Sequence, residues 1–128
     1  MEANKDMKIL VVDDHESMRM IVKHALNDLG FKNIQMADDG RTALPMLKQS
    51  DFDFLVCDWN MPGMAGIDLL KAVRASDDLC KLPVLMVTAE AKKEQVIEAA
   101  RSGVNDYIVK PFNRETLGTK IESVFSKL

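Results

Sequence analysis

Lys8-Ile-Leu-Val-Val12, followed at once by Asp13-Asp14, is the stretch on which the fold turns. Four consecutive apolar residues, two of them Val, with no polar alternation fit a strand buried on both faces. Similar short runs recur at residues 34–37, 52–57, 83–87 and 107–109, and helix-length segments lie between them. Five strands alternating with five helices predict an α/β fold: a doubly wound parallel sheet with helices on both faces, placed there by right-handed crossovers.

The helices carry their own signals. Met18, Ile21, Val22, Ala25, Leu26 and Leu29 form one apolar stripe, stopped by Gly30 and Phe31. Leu117, Ile121, Val124, Phe125 and Leu128 form another, with Asn113 as its expected N-cap. Ile67, Leu70 and Val73 mark a third helix over Gly66–Ala75; Val96, Ala99 and Ala100 mark a fourth over 92–102, ended by Gly103 and Val104. The second helix contains Pro45, which is tolerated without loss only in a first turn, so it is expected to start near Thr42 or to kink. Asp38-Asp39-Gly40 reads as a structural acidic turn leading into it.

Composition narrows the function. With 128 residues, 47% hydrophobic and 29% charged, the chain suits one compact domain (1–128) that needs no staples. A net charge of −3 gives no general attraction to nucleic acid or to an anionic membrane. The longest apolar runs are too short to span a bilayer, and the first eight residues lack a signal-peptide core, so a cytoplasmic location is expected. Cys57 and Cys80 sit in no metal-ligand spacing and read as free thiols. Strand alternation turns Cys57 away from Asp58, which makes its thiol buried and inert.

All strand ends of a parallel sheet that carry ligands lie along one edge. The residues ending the runs are Asp13 and Asp14, Asp58, Thr88 and Lys110. An Asp after a strand is commonly a turn residue or a helix cap, and any one alone would mean little. Three carboxylates meeting on one edge, however, repel one another unless a cation neutralises them. Hard oxygen ligands suit Mg2+ or Mn2+ better than zinc or copper. Carboxylate, divalent cation, lysine and threonine hydroxyl are together what phosphoryl transfer to an aspartate requires.

Ile9-Leu-Val-Val-Asp-Asp14, Asp58-Trp-Asn-Met-Pro62, Val87-Thr-Ala-Glu-Ala-Lys-Lys93 and Val109-Lys-Pro-Phe112 resemble the response-regulator receiver family, and most closely its chemotaxis members. The resemblance spans essentially the whole chain. It implies a flavodoxin-like strand order 2-1-3-4-5, a phosphoacceptor at Asp58, and Mg2+ held by Asp13, Asp14, Asp58 and the backbone carbonyl of Asn60. Lys110 would pair with the phosphoryl group, Thr88 would donate to it, and Tyr107 would be the aromatic switch partner of Thr88. A cis Lys110–Pro111 bond is implied as well. Asn60 and Glu90 match positions that tune hydrolysis. Ala91, Lys92, Lys93, Val96, Tyr107, Phe112 and Lys120 match a partner-docking face.

The implied partners are a histidine kinase of the chemotaxis type, the flagellar motor switch and a phosphatase, around a monomer that is not an enzyme in its own right. Without an effector domain, output would be protein binding. Two departures touch that output: Asp106 places a negative charge beside Tyr107, and Gly118 removes a side chain from what is expected to be the same region. A paralogue that drains phosphate from the kinase, or signals to a non-flagellar target, would carry such changes. The loop from Met61 to Gly66 has Ala65 where an acidic residue often stands, which should leave phosphorylation intact. Trp59 is expected to be a strand-end aromatic with a wet edge, and His15 a bystander on a first helical turn.

Other classes fit less well. A phosphatase of the haloacid dehalogenase type would place its nucleophile in Asp-x-Asp after strand one, whereas here the aspartates adjoin. A flavin carrier would want a hydroxyl-rich phosphate loop there, and Asp13 and Asp14 would repel the phosphate.

Overall fold

The computed structural model describes residues 4–61, 63–89 and 92–128. Strands β1 (Lys8–Val12), β2 (Asn33–Ala37), β3 (Phe54–Asp58), β4 (Val84–Thr88) and β5 (Asp106–Val109) alternate with helices α1 (Glu16–Asp28), α2 (Gly40–Gln49), α3 (Gly66–Ala75), α4 (Lys93–Arg101) and α5 (Arg114–Ser126). They form one parallel sheet in the order β2-β1-β3-β4-β5. This is the flavodoxin-like arrangement that the resemblance implied.

Strand alternation divides the core in two. Leu10, Val12, Leu55, Cys57, Val84 and Met86 point to one face, against Ala43 and Leu47 of α2, Leu69 and Leu70 of α3, and Ala99 of α4. Ile9, Val11, Phe54, Val56, Leu85 and Val87 point to the other, against Val22 and Leu26 of α1 and Leu117, Ile121 and Phe125 of α5. Phe54 and Phe125 meet edge to face with centroids 5.2 Å apart. The outer strands are only partly covered, which is why their apolar runs are short.

Gly30 ends α1 at φ 100°, a conformation that admits glycine without steric cost. Asn113 caps α5 by accepting from the Thr116 N–H, as expected. Helix α2 departs from expectation. It starts at Gly40, because Asp39 accepts from the N–H groups of both Arg41 and Thr42, and this cap fixes the first turn ahead of Thr42. Pro45 is therefore the sixth helical residue, and the helix runs through it despite the missing donor. The Asp39 hydrogen bonds also hold its carboxyl below the usual carboxylate range.

Four smaller corrections concern exposure and edges. β3 begins at Phe54, leaving Phe52 outside the strand under the Lys8 ammonium. Leu128 lies beyond α5 and is 57% exposed. Ala100 faces solvent while Ala99 is buried. Gly118 faces α1: a Cβ there would stand 3.0 Å from Leu29 Cδ2, well away from any role beside Tyr107.

At the edge opposite the strand C-termini, the partly buried Arg74 donates to the carbonyls of Cys80, Leu82 and Gly103 and to Asn105 Oδ1. Burial lowers the proton affinity of this guanidinium without discharging it. No helix among the described residues is long and apolar enough to cross a membrane.

Candidate functional site

The central strands β1, β3 and β4 stop at the same edge, so the residues just past or at their ends meet there. Asp13 is 2% exposed, Asp58 5% and Thr88 5%, which makes them the buried polar side chains among the described residues. Lys110, one residue beyond β5, reaches back across the sheet. Its Nζ lies 3.1 Å from Asp58 Oδ1 and 3.3 Å from Asp13 Oδ2. Its own N–H donates to the Thr88 carbonyl at 2.7 Å, and the bond to Pro111 is cis, as the resemblance implied. In the β3–β4 register Asp58 pairs with Val87, so Thr88 stands one residue past that partner on β4.

The charges are consistent with this crowding. Burial raises the proton affinity of Asp58, the neighbouring Asp13 carboxylate raises it further, and Lys110 partly opposes both. For Lys110, burial alone would favour the neutral amine, but the Asp58 and Asp13 carboxylates outweigh it and hold the ammonium charged. The Cys57 thiol is pushed far up by burial, then by Asp58 and Asp13, and stays protonated and inert as expected.

Asp14 is the fit test for a cation. Its Oδ1 is buried and has no hydrogen-bond partner among the described residues, and it faces the Asp13 carboxylate. A buried carboxylate oxygen without a donor is costly, and a hard cation with its waters would satisfy it. The donor set of Asp13, Asp14 and Asp58 therefore fits Mg2+.

Position 66 is bound to this geometry. The Gly66 N–H donates to the Trp59 carbonyl, and a Cβ on Gly66 would collide with the backbone carbonyl of Asp58. Only a glycine lets α3 start so close to the end of β3. Trp59 is buried at 8% exposure within the α2/α3/α4-side core, which corrects the wet-edge expectation; its backbone N–H donates to the Val87 carbonyl and extends the β3–β4 pairing by one residue.

Two neighbours of the acidic edge carry no signal in the strand pattern. Arg19, on the first turns of α1, donates to the Asp13 carbonyl at 2.7 Å, and only the direction in which α1 leaves the sheet places it there. His15, expected to be a bystander, is the N-cap residue of α1, with Nδ1 3.2 Å from Asp14 Oδ1 and 3.4 Å from Asp13 Oδ1.

The remaining site residues are more scattered. Asn60 is exposed beyond β3. Tyr107 is half-buried on β5, packed against the α2/α3/α4-side core, with the Lys120 ammonium 5.3 Å from its ring centroid. Lys92 and Lys93 are exposed at the start of α4, and Val96 and Phe112 are half-buried. Glu90 and Ala91 lie outside the described residues, as does Pro62 of the loop after β3. Asp106 is not a bare charge: Lys120 pairs with it at 3.3 Å, and it accepts the Tyr107 N–H at 2.8 Å.

A buried aspartate at the end of β3, a lysine bridging it to Asp13 after β1, and a buried threonine at the end of β4 make one charged site at the strand ends of a flavodoxin-like sheet. The family described as the response regulator receiver domain matches residues 9–122, and the chain belongs to it. Within that family it is a CheY-like chemotaxis response regulator. It is 66% identical over 125 residues to chemotaxis protein CheY-3 of Vibrio cholerae, covering 98% of this chain and 96% of that one. It is 64% identical over 122 residues to CheY of Pseudomonas aeruginosa, covering 95% and 98%. Among solved structures, Vibrio cholerae CheY4 superposes with a TM-score of 0.87 at 39% identity, covering 93% of this chain and 98% of that one. CheY is itself a standing example of the 2-1-3-4-5 order. The receiver domain of a Pseudomonas aeruginosa sensor histidine kinase shares the fold alone, with a TM-score of 0.85 at 24% identity over 94% and 98% of the chains; that domain holds a magnesium ion in its active-site cleft.

Proposed function

We propose that residues 1–128 act as one cytoplasmic, monomeric receiver unit that takes a phosphoryl group onto Asp58 from a chemotaxis-type histidine kinase. The observation that carries the proposal is Lys110, charged and within 3.3 Å of both Asp58 and Asp13. Asp58 Oδ attacks the phosphorus, the P–N bond to the kinase histidine breaks, and the electron pair leaves with the imidazole. Burial keeps water away from the nucleophile until the donor arrives. Lys110 balances charge developing on the phosphoryl oxygens, and Thr88 donates to one of them once transfer is complete. Asp13, Asp14, Asp58 and the Asn60 carbonyl would hold Mg2+, which would supply the remaining charge neutralisation. The acyl phosphate is then lost by self-catalysed hydrolysis, tuned by Asn60 and Glu90 and, in the cell, by a phosphatase.

Signalling follows from charge. A doubly negative group at Asp58 draws Thr88 and Lys110 toward it, and Tyr107 turns into the space that Thr88 vacates. The face of Ala91, Lys92, Lys93, Val96, Tyr107, Phe112 and Lys120 then docks the flagellar motor switch. The identities to two chemotaxis proteins over nearly the whole chain support this output. Lys120 neutralising Asp106 removes one sequence argument for the phosphate-sink alternative.

Labelling with a small acyl phosphate tests the chemistry. Asp58→Asn and Mg2+ chelation should each abolish it, and labelling that survives either would overturn the mechanism. Titration of the beryllofluoride-activated protein with a motor-switch peptide tests the output. Binding by the activated form alone is expected, and equal binding of both forms, or none, would favour the phosphate-sink reading.

A further inference from the structure

The acidic edge contains an imidazole that the phosphoryl chemistry does not use. His15 Nδ1 lies 3.2 Å from Asp14 Oδ1 and 3.4 Å from Asp13 Oδ1, and one ligand atom from each of the three residues lies within 4.8 Å of the others. Yet the close approach to Asp14 is not a hydrogen bond, since Asp14 Oδ1 has no such partner among the described residues. The ring does not cap α1 either: Asp13 accepts from the His15 backbone N–H, and the side chain makes no cap bond. The imidazole is within ion-pair reach of both carboxylates, and the same nitrogen stands beside an Asp14 oxygen without a hydrogen-bond partner among the described residues, so the three side chains form one mixed nitrogen and oxygen ligand set.

We propose that His15 is an additional metal ligand, through which this site holds a divalent first-row transition cation of the Co2+ or Ni2+ type in a mode that Mg2+ does not use. The inference rests on the acidic edge being a divalent-cation site. Adjacent ligands on an octahedron with bonds of roughly 2.1 Å stand about 3 Å apart, which is close to the spacing of the His15 and Asp14 atoms. Mg2+ prefers oxygen ligands and retained waters, and it gains little from an imidazole. Co2+ and Ni2+ accept imidazole readily and rank above Mn2+ and Fe2+ at mixed nitrogen and oxygen sites. The His15 side chain is 69% exposed and so can rotate onto a cation already drawn in by Asp13 and Asp14. Selectivity at the acidic edge would thus be set by a residue that takes no part in accepting phosphate.

Calorimetric titration of the full-length protein with Co2+ and with Mg2+ tests this, alongside proton NMR of the ring protons of the two histidines in the chain. His15→Ala should lower Co2+ affinity by about tenfold or more, as losing one supporting group at a metal site commonly does, while Mg2+ affinity moves by less than roughly twofold. His24→Ala, nine residues further along α1, should change neither. Co2+ should move the ring protons of His15 far downfield through the bond to the metal, and those of His24 only slightly, through space. Equal Co2+ affinity in wild type and His15→Ala, or the absence of such large through-bond shifts for His15 at saturation, would overturn the proposal. Mg2+ binding retained alongside that result would leave the phosphoacceptor reading intact. If neither cation bound to wild type, the metal-site reading itself would fall.

Discussion

The interior of the sheet and its acidic edge are built from the same three strands and follow opposite rules. Within β1, β3 and β4, Ile9, Leu10, Phe54, Leu55, Val84 and Leu85 are fully buried and need nothing but close neighbours. Three residues beyond Leu10, Leu55 and Leu85, the side chains of Asp13, Asp58 and Thr88 are almost as deeply buried, yet they are polar or charged and held together by Lys110. The interior stabilises the fold by removing apolar surface from water. The edge works against it, because two carboxylates share one lysine in a partly dry setting. What folding gains along the strands supports a costly group of charges at their ends.

Changes in the two regions should therefore move stability in opposite directions. The largest effect is expected for Phe54→Ala, which removes a ring packed on Phe125 and should cost about 3–5 kcal/mol in denaturant unfolding. Acyl-phosphate labelling of the fraction that remains folded should be unaffected. Gly66→Ala attacks the boundary between the regions, since its methyl must displace the Asp58 carbonyl. It should cost about 1–3 kcal/mol and also slow labelling, because Asp58 moves with its backbone. Normal labelling in a destabilised Gly66→Ala protein would show that the two regions are less tightly joined than the geometry indicates.

The smallest effect has the reverse sign. The folded protein holds a proton on Asp58 more tightly than the unfolded chain does, through burial and Asp13. Stability is therefore lost as pH rises from the usual carboxylate range through the raised folded value, and the full penalty applies above it. Asp58→Asn removes that penalty. It should stabilise the metal-free protein modestly near neutral pH, with the gain vanishing as pH falls into the usual carboxylate range. Urea midpoints at the two pH values measure it, and a destabilised Asp58→Asn protein near neutrality would contradict the opposition between the regions.

The same division governs how much was legible in the sequence. β1, β3 and β4 stand out because burial on both faces leaves unbroken apolar runs, and once the sheet is parallel their ends must meet; Asp13, Asp58, Thr88 and Lys110 follow from that alone. What escaped depends on directions that strand periodicity does not encode. The inward turn of Trp59, the reach of Arg19 to the Asp13 carbonyl and the placing of His15 are set by how the chain leaves a strand. Gly118 was misplaced because the α5 stripe identifies its buried face without saying which neighbour lies beside it. The start of α2 was misjudged because Pro45 weighed more heavily than the cap at Asp39, whose two hydrogen bonds decide the matter.

Arg74 sits at the other end of the molecule, and its bonds bear on how a signal could travel. One guanidinium there ties the segment leading into β4 to the one leading into β5. With those two connections fastened at their base, β4 and β5 enter the sheet from a common anchor. A rearrangement that began at the Thr88 end would have that anchor as its fixed point.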